Sequence, residues 1–322
     1  MQAIRAATFG GPEVMRLEEL PTPAPAAGEA LVRVEASGIN FIDIYQRMGQ
    51  YKIPLPARLG LEGAGVVEAV GAGVTSVKAG DRVAWVSLPG SYATHAALPA
   101  DRLVPVPAGI SSKIAAATML QGLTAHYLAA STYPLQAGQT CLIHAAAGGV
   151  GQLFIQIAKK RGAKVIGTAG SADKCALAKD AGADEMIDYR AQDFEAEVRR
   201  ITSGRGVAVV YDSVGKDTFG KSLKCLEPRG MLVLFGQSSG PVDSFDPQAL
   251  AGGGSLYLTR PTLGHYTASR AELVGRCEEL FGWILKGELK IRIDSEYPLR
   301  EAAQAHEALG GRRTTGKVLL LP

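Results

Sequence analysis

The sequence predicts an α/β protein with two parts: a doubly wound parallel sheet in mid-chain and a compact, mostly antiparallel β-domain. Three observations predict it. From the start to about Gly122 the chain is rich in Gly, Pro and Val and carries short stretches of alternating polarity. Beyond Gly122, apolar strands alternate with segments of helical period. Between the first such strand and the first such helix lies a glycine-rich turn, Ala145-Ala146-Ala147-Gly148-Gly149-Val150-Gly151.

In chain order, Leu31 to Glu35, Gly65 to Val70 and Asp81 to Trp85 read as half-buried strands, cut by Gly and Pro at a density that suits antiparallel turns. Cys141 to Ala145 reads as a buried strand. Val150, Leu153, Phe154, Ile157 and Ala158 then recur at helical spacing up to Arg161-Gly162, a helix stop. Lys164 to Thr168 is the next strand, followed by a helix through Lys174 and Ala178. Strand-like runs return at Glu185 to Asp188, Val207 to Asp212 and Met231 to Phe235. This β-α-β alternation implies parallel strands with helices on both faces, the Rossmann-type arrangement. Near the C-terminus, Leu273, Cys277, Leu280, Phe281 and Ile284 share one helix face, and Lys317 to Leu321 looks like a strand returning to a sheet. There is no internal repeat and no low-complexity segment.

At 322 residues, 47% of them hydrophobic and 20% charged, the chain can bury sizeable cores and fits two domains. The 34 basic and 31 acidic residues are well mixed, and a net charge of +3 is too small to argue for nucleic acid or a membrane surface as partner. Cys141, Cys175, Cys225 and Cys277 form no C-x-x-C pair, so free thiols in a reduced compartment are expected. The opening Met1 to Arg5 holds no apolar stretch of a leader, and no apolar run approaches the roughly 20 residues that span a bilayer. A cytoplasmic protein is expected.

In the glycine-rich turn, Gly148 and Gly151 match the second and third glycines of G-x-G-x-x-G, with Ala146 in place of the first. The second glycine lets a pyrophosphate approach the backbone, and the third lets the helix pack close to the strand. Exposed N–H groups and the helix dipole then hold the negative charge, with Ala147, Gly149 and Val150 beside it. A tight βα connection alone would need the same glycines; the flanking strand, helix and second strand favour a dinucleotide. An NAD site has Asp or Glu at the tip of the second strand. Here the tip reads Gly167-Thr168-Ala169-Gly170-Ser171-Ala172-Asp173-Lys174. Gly170 leaves room for a 2′-phosphate, Ser171 and Lys174 can donate to it, and NADPH is the expected cofactor. Asp173 is assigned outward, where its acid suits the helix dipole. The alternative for Lys174 is a merely solvated helix lysine.

These motifs, taken together with Gly10 to Val14, Gly38-Ile39-Asn40-Phe41-Ile42-Asp43-Ile44-Tyr45, Gly122 to Ala125, His144 to Gly151, Tyr211 to Gly215, Phe235 to Gly240 and Leu256 to Pro261, give the chain its family likeness. It resembles, almost end to end, the zinc-free quinone oxidoreductases of the zeta-crystallin type, in the medium-chain dehydrogenase/reductase superfamily. The resemblance implies a GroES-like β-domain split between the chain ends, a central NADPH domain, a quinone substrate and commonly a homodimer. The expected divisions are 1–122 and 263–322 for the GroES-like catalytic domain and 123–262 for the NADPH-binding domain. Gln237 stands where close relatives often carry Asn, and either amide can donate to the cofactor. The zinc-dependent alcohol dehydrogenases of the superfamily place Cys and a His-Glu pair where this chain has Asn40 and Leu61-Glu62. Neither Asn nor Leu is a zinc ligand, so no metal is expected, and Glu62 is read as closing a buried polar contact.

By the same resemblance, Asn40 and Tyr45 are the donors toward the oxygen that gains charge as a quinone is reduced. Their alternatives are a cap for a helix starting at Phe41 and a half-buried aromatic. Phe41, Ile42 and Thr124 are assigned to the cofactor, Thr124 at the nicotinamide carboxamide, with a simple ST-turn residue as its alternative, and Tyr189 at the adenosine. Ser213, Phe235, Gly236, Gln237 and Ser238 sit at the carboxyl ends of later strands, where such folds bind ligands. Arg260 either touches the cofactor or is buried at a domain junction. An enone or alkenal double-bond reductase, and an NADPH-binding protein with little turnover, are the alternatives to a quinone reductase.

Overall fold

The computed structural model describes residues 1–322 and divides into two compact units, 1–123 with 266–322, and 124–265. Both sheets expected from the sequence are present. The first unit opens with β1 (Gln2–Ala6), β2 (Met15–Glu19), β3 (Glu29–Ile39), β4 (Ala57–Arg58), β5 (Glu62–Val70), β6 (Arg82–Val86), β7 (His95–Pro99) and β8 (Val104–Pro105). β1 pairs antiparallel with β2 and β4. β3 is the spine of a larger sheet, antiparallel to β5 and β7, with β6 and β8 continuing it. The alternation in β3 buries Ala30, Val32 and Val34 against Val67, Val83, Trp85, Ala96 and Leu98.

The second unit holds β9 (Thr140–Ile143), β10 (Lys164–Ala169), β11 (Glu185–Asp188), β12 (Val207–Asp212), β13 (Leu226–Leu234) and β14 (Tyr257–Thr259). They form one parallel sheet in the order β11-β10-β9-β12-β13-β14. Every residue of β12 is buried, and Val207 to Tyr211 form the continuous apolar run expected of a parallel strand covered on both faces. The chain moves outward from β9 in one direction and from β12 in the other. The crevice at the carboxyl ends of these two neighbours is therefore the switch point where ligands bind in such sheets.

The last strands, β15 (Ile293–Pro298) and β16 (Lys317–Leu321), return to the first unit. β16 pairs antiparallel with β3, Val318 opposite Ile39, and parallel with β15, which completes seven strands. The helix Arg270–Leu285 buries Leu273, Cys277, Leu280 and Phe281, while Ile284 is half-buried. Several strand limits differ from expectation, and two of the differences bear on local backbone or composition. β9 stops at Ile143, because Ala145 takes the left-handed conformation (φ 53°) that begins the turn. β13 begins at Leu226, five residues before Met231, through a Glu227-Pro228-Arg229-Gly230 stretch whose composition reads as a turn. No helix is long and apolar enough to cross a membrane.

Candidate cofactor and acceptor sites

Gly148 is the N-cap of the 12-residue helix Gly149–Lys160, so the first N–H groups of that helix open at the switch point. The two glycines of the turn differ in what holds them. A Cβ on Gly151 would stand 2.5 Å from the carbonyl oxygen of Ala146 and 2.6 Å from that of Ala145, which the loop's own backbone forbids. A Cβ on Gly148 would meet only the Ala145 oxygen, at 3.1 Å. The fold thus demands glycine at 151 far more than at 148, where what glycine keeps clear is the approach to the backbone. Ala147 is buried beneath the turn, with Gly149 and Val150 half-buried in the first helical turn.

Behind the loop lies a buried polar chain that sequence reasoning did not find. His144 places Nδ1 2.9 Å from Thr168 Oγ1 and Nε2 2.9 Å from Ser222 Oγ, and the Ser222 hydroxyl donates to Asp212 Oδ2 at 2.9 Å. Because the serine proton goes to the carboxylate, His144 donates through Nε2 and accepts from Thr168 through Nδ1. Burial lowers the His144 pKa and keeps the ring neutral. The chain ties together the ends of β9, β10 and β12, the strands that frame the crevice.

At the tip of β10, the Ser171 hydroxyl caps the helix Ala172–Asp180 by accepting from Lys174 N at 3.3 Å, and its own proton stays available to a ligand. Lys174 is half-buried in the first turn and Asp173 is exposed, as assigned. The space beside Gly170 is not open, however. A Cβ there would stand 2.6 Å from the Tyr189 hydroxyl and 3.5 Å from Arg190 Nε. The turn after β11 folds back over this tip, with Tyr189 N donating to Ala169 O at 3.1 Å. It brings a phenol and a guanidinium where an empty slot was expected. Arg190 was missed; the one available signal was a basic residue two positions after the third strand of the unit.

Ser213 follows β12, and half-buried Phe235, Gly236, Gln237 and Ser238 follow β13. The two segments touch: Ser238 N donates to Ser213 O at 3.1 Å, and a Cβ on Gly236 would stand 2.6 Å from that oxygen. Arg260 follows β14, is exposed, and donates to Leu234 O at 3.1 Å. Thr124 is buried in the helix Ser112–Tyr127.

In the first unit, Asn40 follows β3 and is the N-cap of the helix Phe41–Arg47, with Phe41 and Ile42 half-buried in its first turn. Asp43 accepts from the Asn40 N–H at 2.8 Å. Asn40 is 4% exposed. Its Nδ2 donates to Glu62 Oε1 at 2.6 Å, and its Oδ1 accepts from Lys317 Nζ at 2.9 Å and Gln121 Nε2 at 3.4 Å. Glu62 also pairs with Lys317 and accepts from Leu120 N at 2.5 Å, so it does close a buried polar contact. Tyr45 is buried on the same helix, edge-on to Tyr51 with centroids 5.4 Å apart. Lys317, read in the sequence only as the start of an apolar strand, is a buried cation. No group of three or more His, Cys, Asp or Glu side chains comes together as a metal site.

Residues 26–108 match the family model of the alcohol dehydrogenase GroES-like domain, and residues 149–275 match that of the zinc-binding dehydrogenases. The chain is 49% identical over 321 residues to the quinone oxidoreductase of Pseudomonas aeruginosa, covering 99% of each. It is 42% identical over 322 residues to the 2-haloacrylate reductase of a Burkholderia species, covering 97% of this chain and 96% of that one. The crystal structure of Escherichia coli quinone oxidoreductase complexed with NADPH matches it with a TM-score of 0.98 and 45% identity over the whole of both chains. The chain belongs to the zinc-free quinone oxidoreductases of the medium-chain dehydrogenase/reductase superfamily.

Proposed function

We propose that the chain is an NADPH-dependent quinone reductase that passes reducing equivalents to a quinone without a metal. The observation that carries this is Gly148, which its own surroundings demand less than Gly151, at a helix N-terminus on the switch point of a parallel sheet. Bound NADPH supplies the hydride, and the chain's residues hold and orient the reactants. Gly148, Gly149 and Val150 with Ala147 take the pyrophosphate. Ser171, Lys174 and Arg190 take the 2′-phosphate, with Gly170 and Tyr189 bordering the adenosine. Thr124, Phe41, Ile42, Ser213, Phe235, Gly236, Gln237, Ser238 and Arg260 border the rest of the cofactor. Asn40 and Tyr45 donate to the acceptor oxygen as it gains charge.

The two chain-end segments, 1–122 and 263–322, are assigned as the catalytic domain and 123–262 as the cofactor domain. The protein is assigned to the cytoplasm. A homodimer is proposed from the edge position of β14, whose Tyr257 is 57% exposed on a strand with one unpaired side. The 2-haloacrylate reductase relative favours a second reading, reduction of an activated double bond by the same donor. A steady-state assay with NADPH against quinone and enone panels tests both. Quinone turnover well above enone turnover is expected; the reverse establishes the second reading. Tight NADPH binding with negligible turnover of either panel makes the chain a binding protein.

A further inference from the structure

The Asn40 carboxamide is held in one orientation by two buried charged groups. Lys317 Nζ has only donors and Glu62 Oε1 only lone pairs, so the oxygen of Asn40 must face the lysine and its nitrogen the carboxylate. A flipped amide would set N–H against ammonium and carbonyl against carboxylate. Glu62 is itself anchored, since its second oxygen is taken by Leu120 N. Both charges are out of water, Lys317 at 1% and Glu62 at 0% side-chain exposure. The chain keeps space for them: a Cβ on Gly38 would collide with Glu62 Oε1 and with Lys317 Cε. Gly38 has an ordinary strand backbone, so its glycine serves the pair and not a turn. A buried ion pair is a weak source of stability and a good source of fixed orientation. These bonds leave one Nδ2–H of Asn40 unused.

We infer that Glu62 and Lys317 are positioning residues, a fixed dipole clamp that keeps the free N–H of Asn40 available to the oxygen of the hydride acceptor. The inference rests on the reading of Asn40 as a donor to that oxygen. The clamp makes no contact with substrate. It sets the orientation in advance, so no reorganisation is needed when charge develops.

Glu62→Gln tests it. In that variant the amide oxygen meets Leu120 N–H and the Gln nitrogen faces Asn40 Nδ2 while Lys317 still holds Asn40 Oδ1, so no orientation of the carboxamide satisfies both neighbours and the fixed one is lost. The experiment is a double-mutant cycle in the full chain with Asn40→Ala, reading kcat for a quinone and the dissociation constant of NADPH. Glu62→Gln should lower kcat about tenfold to a hundredfold with NADPH affinity unchanged. On the Asn40→Ala background it should lower kcat no further. An equal fall on both backgrounds, with Asn40→Ala itself impaired, overturns the clamp alone. If Asn40→Ala leaves kcat intact, the donor reading falls and the clamp with it. Should Glu62→Gln not fold, Gln121→Leu, which removes a neutral donor to the same oxygen, enters the cycle. There a roughly twofold to threefold fall in kcat, absent on Asn40→Ala, supports the clamp. An equal fall on both backgrounds overturns it.

Discussion

Tyr92 and His306 meet edge to face inside the first unit, ring planes at 88°, with the phenol oxygen 3.0 Å from Nε2. The tyrosine donates onward to Asp43 Oδ2 at 3.0 Å, and Arg47 Nη1 lies 3.2 Å from His306 Nδ1. A guanidinium can only donate, so Nδ1 accepts, Nε2 carries the proton, and the ring must stay neutral for the chain to hold. Burial and then Arg47 push the His306 pKa down to about 3, while burial above all pushes Asp43 up to about 7.

Between its unfolded value near 6.5 and about 3, His306 binds fewer protons in the folded protein. Its contribution is therefore full above pH 6.5 and is lost as the pH falls. Asp43 does the opposite, binding more protons when folded, so its contribution is lost as the pH rises toward 7. His306→Gln keeps an acceptor for Arg47 and a donor for Tyr92 without the titration. The stability advantage of wild type over this variant should fall by roughly 3 kcal/mol from pH 6.5 to pH 4. Urea unfolding across that range measures it, and parallel curves for the two proteins would refute the assignment.

Gly148→Val and Gly151→Val should part company. At 148 the added Cβ meets one backbone oxygen, that of Ala145 at 3.1 Å, so the loop must give by a few tenths of an ångström, and NADPH affinity should drop at least tenfold with a much smaller loss of stability than at 151. At 151 the added carbon strikes two carbonyl oxygens, and the protein should lose stability by several kcal/mol or fail to fold. Fluorescence titration and thermal unfolding read the pair; unchanged NADPH binding at 148 would remove the loop from the cofactor site.

Tyr45→Phe should lower kcat for a quinone while leaving the NADPH dissociation constant nearly unchanged, because a donor to developing charge acts mainly in the transition state. Weaker cofactor binding with kcat intact would instead make Tyr45 a cofactor contact.

Lys174→Ala should cost about tenfold in NADPH affinity, since a hydrogen bond to a charged group contributes about 1.5–3 kcal/mol, and should leave NADH almost untouched. Arg190→Ala should behave alike, which would identify the residue that folds over Gly170 as a second phosphate contact. Gly170→Asp needs Tyr189 to move, so inversion of preference should require Tyr189→Ala beside it. The comparison is kcat/KM for both cofactors in each variant; equal losses for NADPH and NADH would make the lysine and arginine structural.

What the sequence determined by itself was local. Apolar runs and helical spacing marked β9 to β12 and their helices, and Gly148 and Gly151 marked the loop, because each signal lies within one element or one turn. Asn40 and Tyr45 were legible through the family motif that surrounds them. The tertiary structure alone decided what holds those residues. Lys317 reaches Asn40 across 277 residues of sequence because β16 pairs with β3, and His306 reaches Tyr92 across 214. Likewise only the fold-back after β11 brings Tyr189 and Arg190 over Gly170. A strand pattern states which face is apolar, not which distant cation shares its sheet, so a buried lysine opposite a buried glutamate has no local signature. Such pairs arise from long-range strand pairing and burial, and these exist only once the chain is folded.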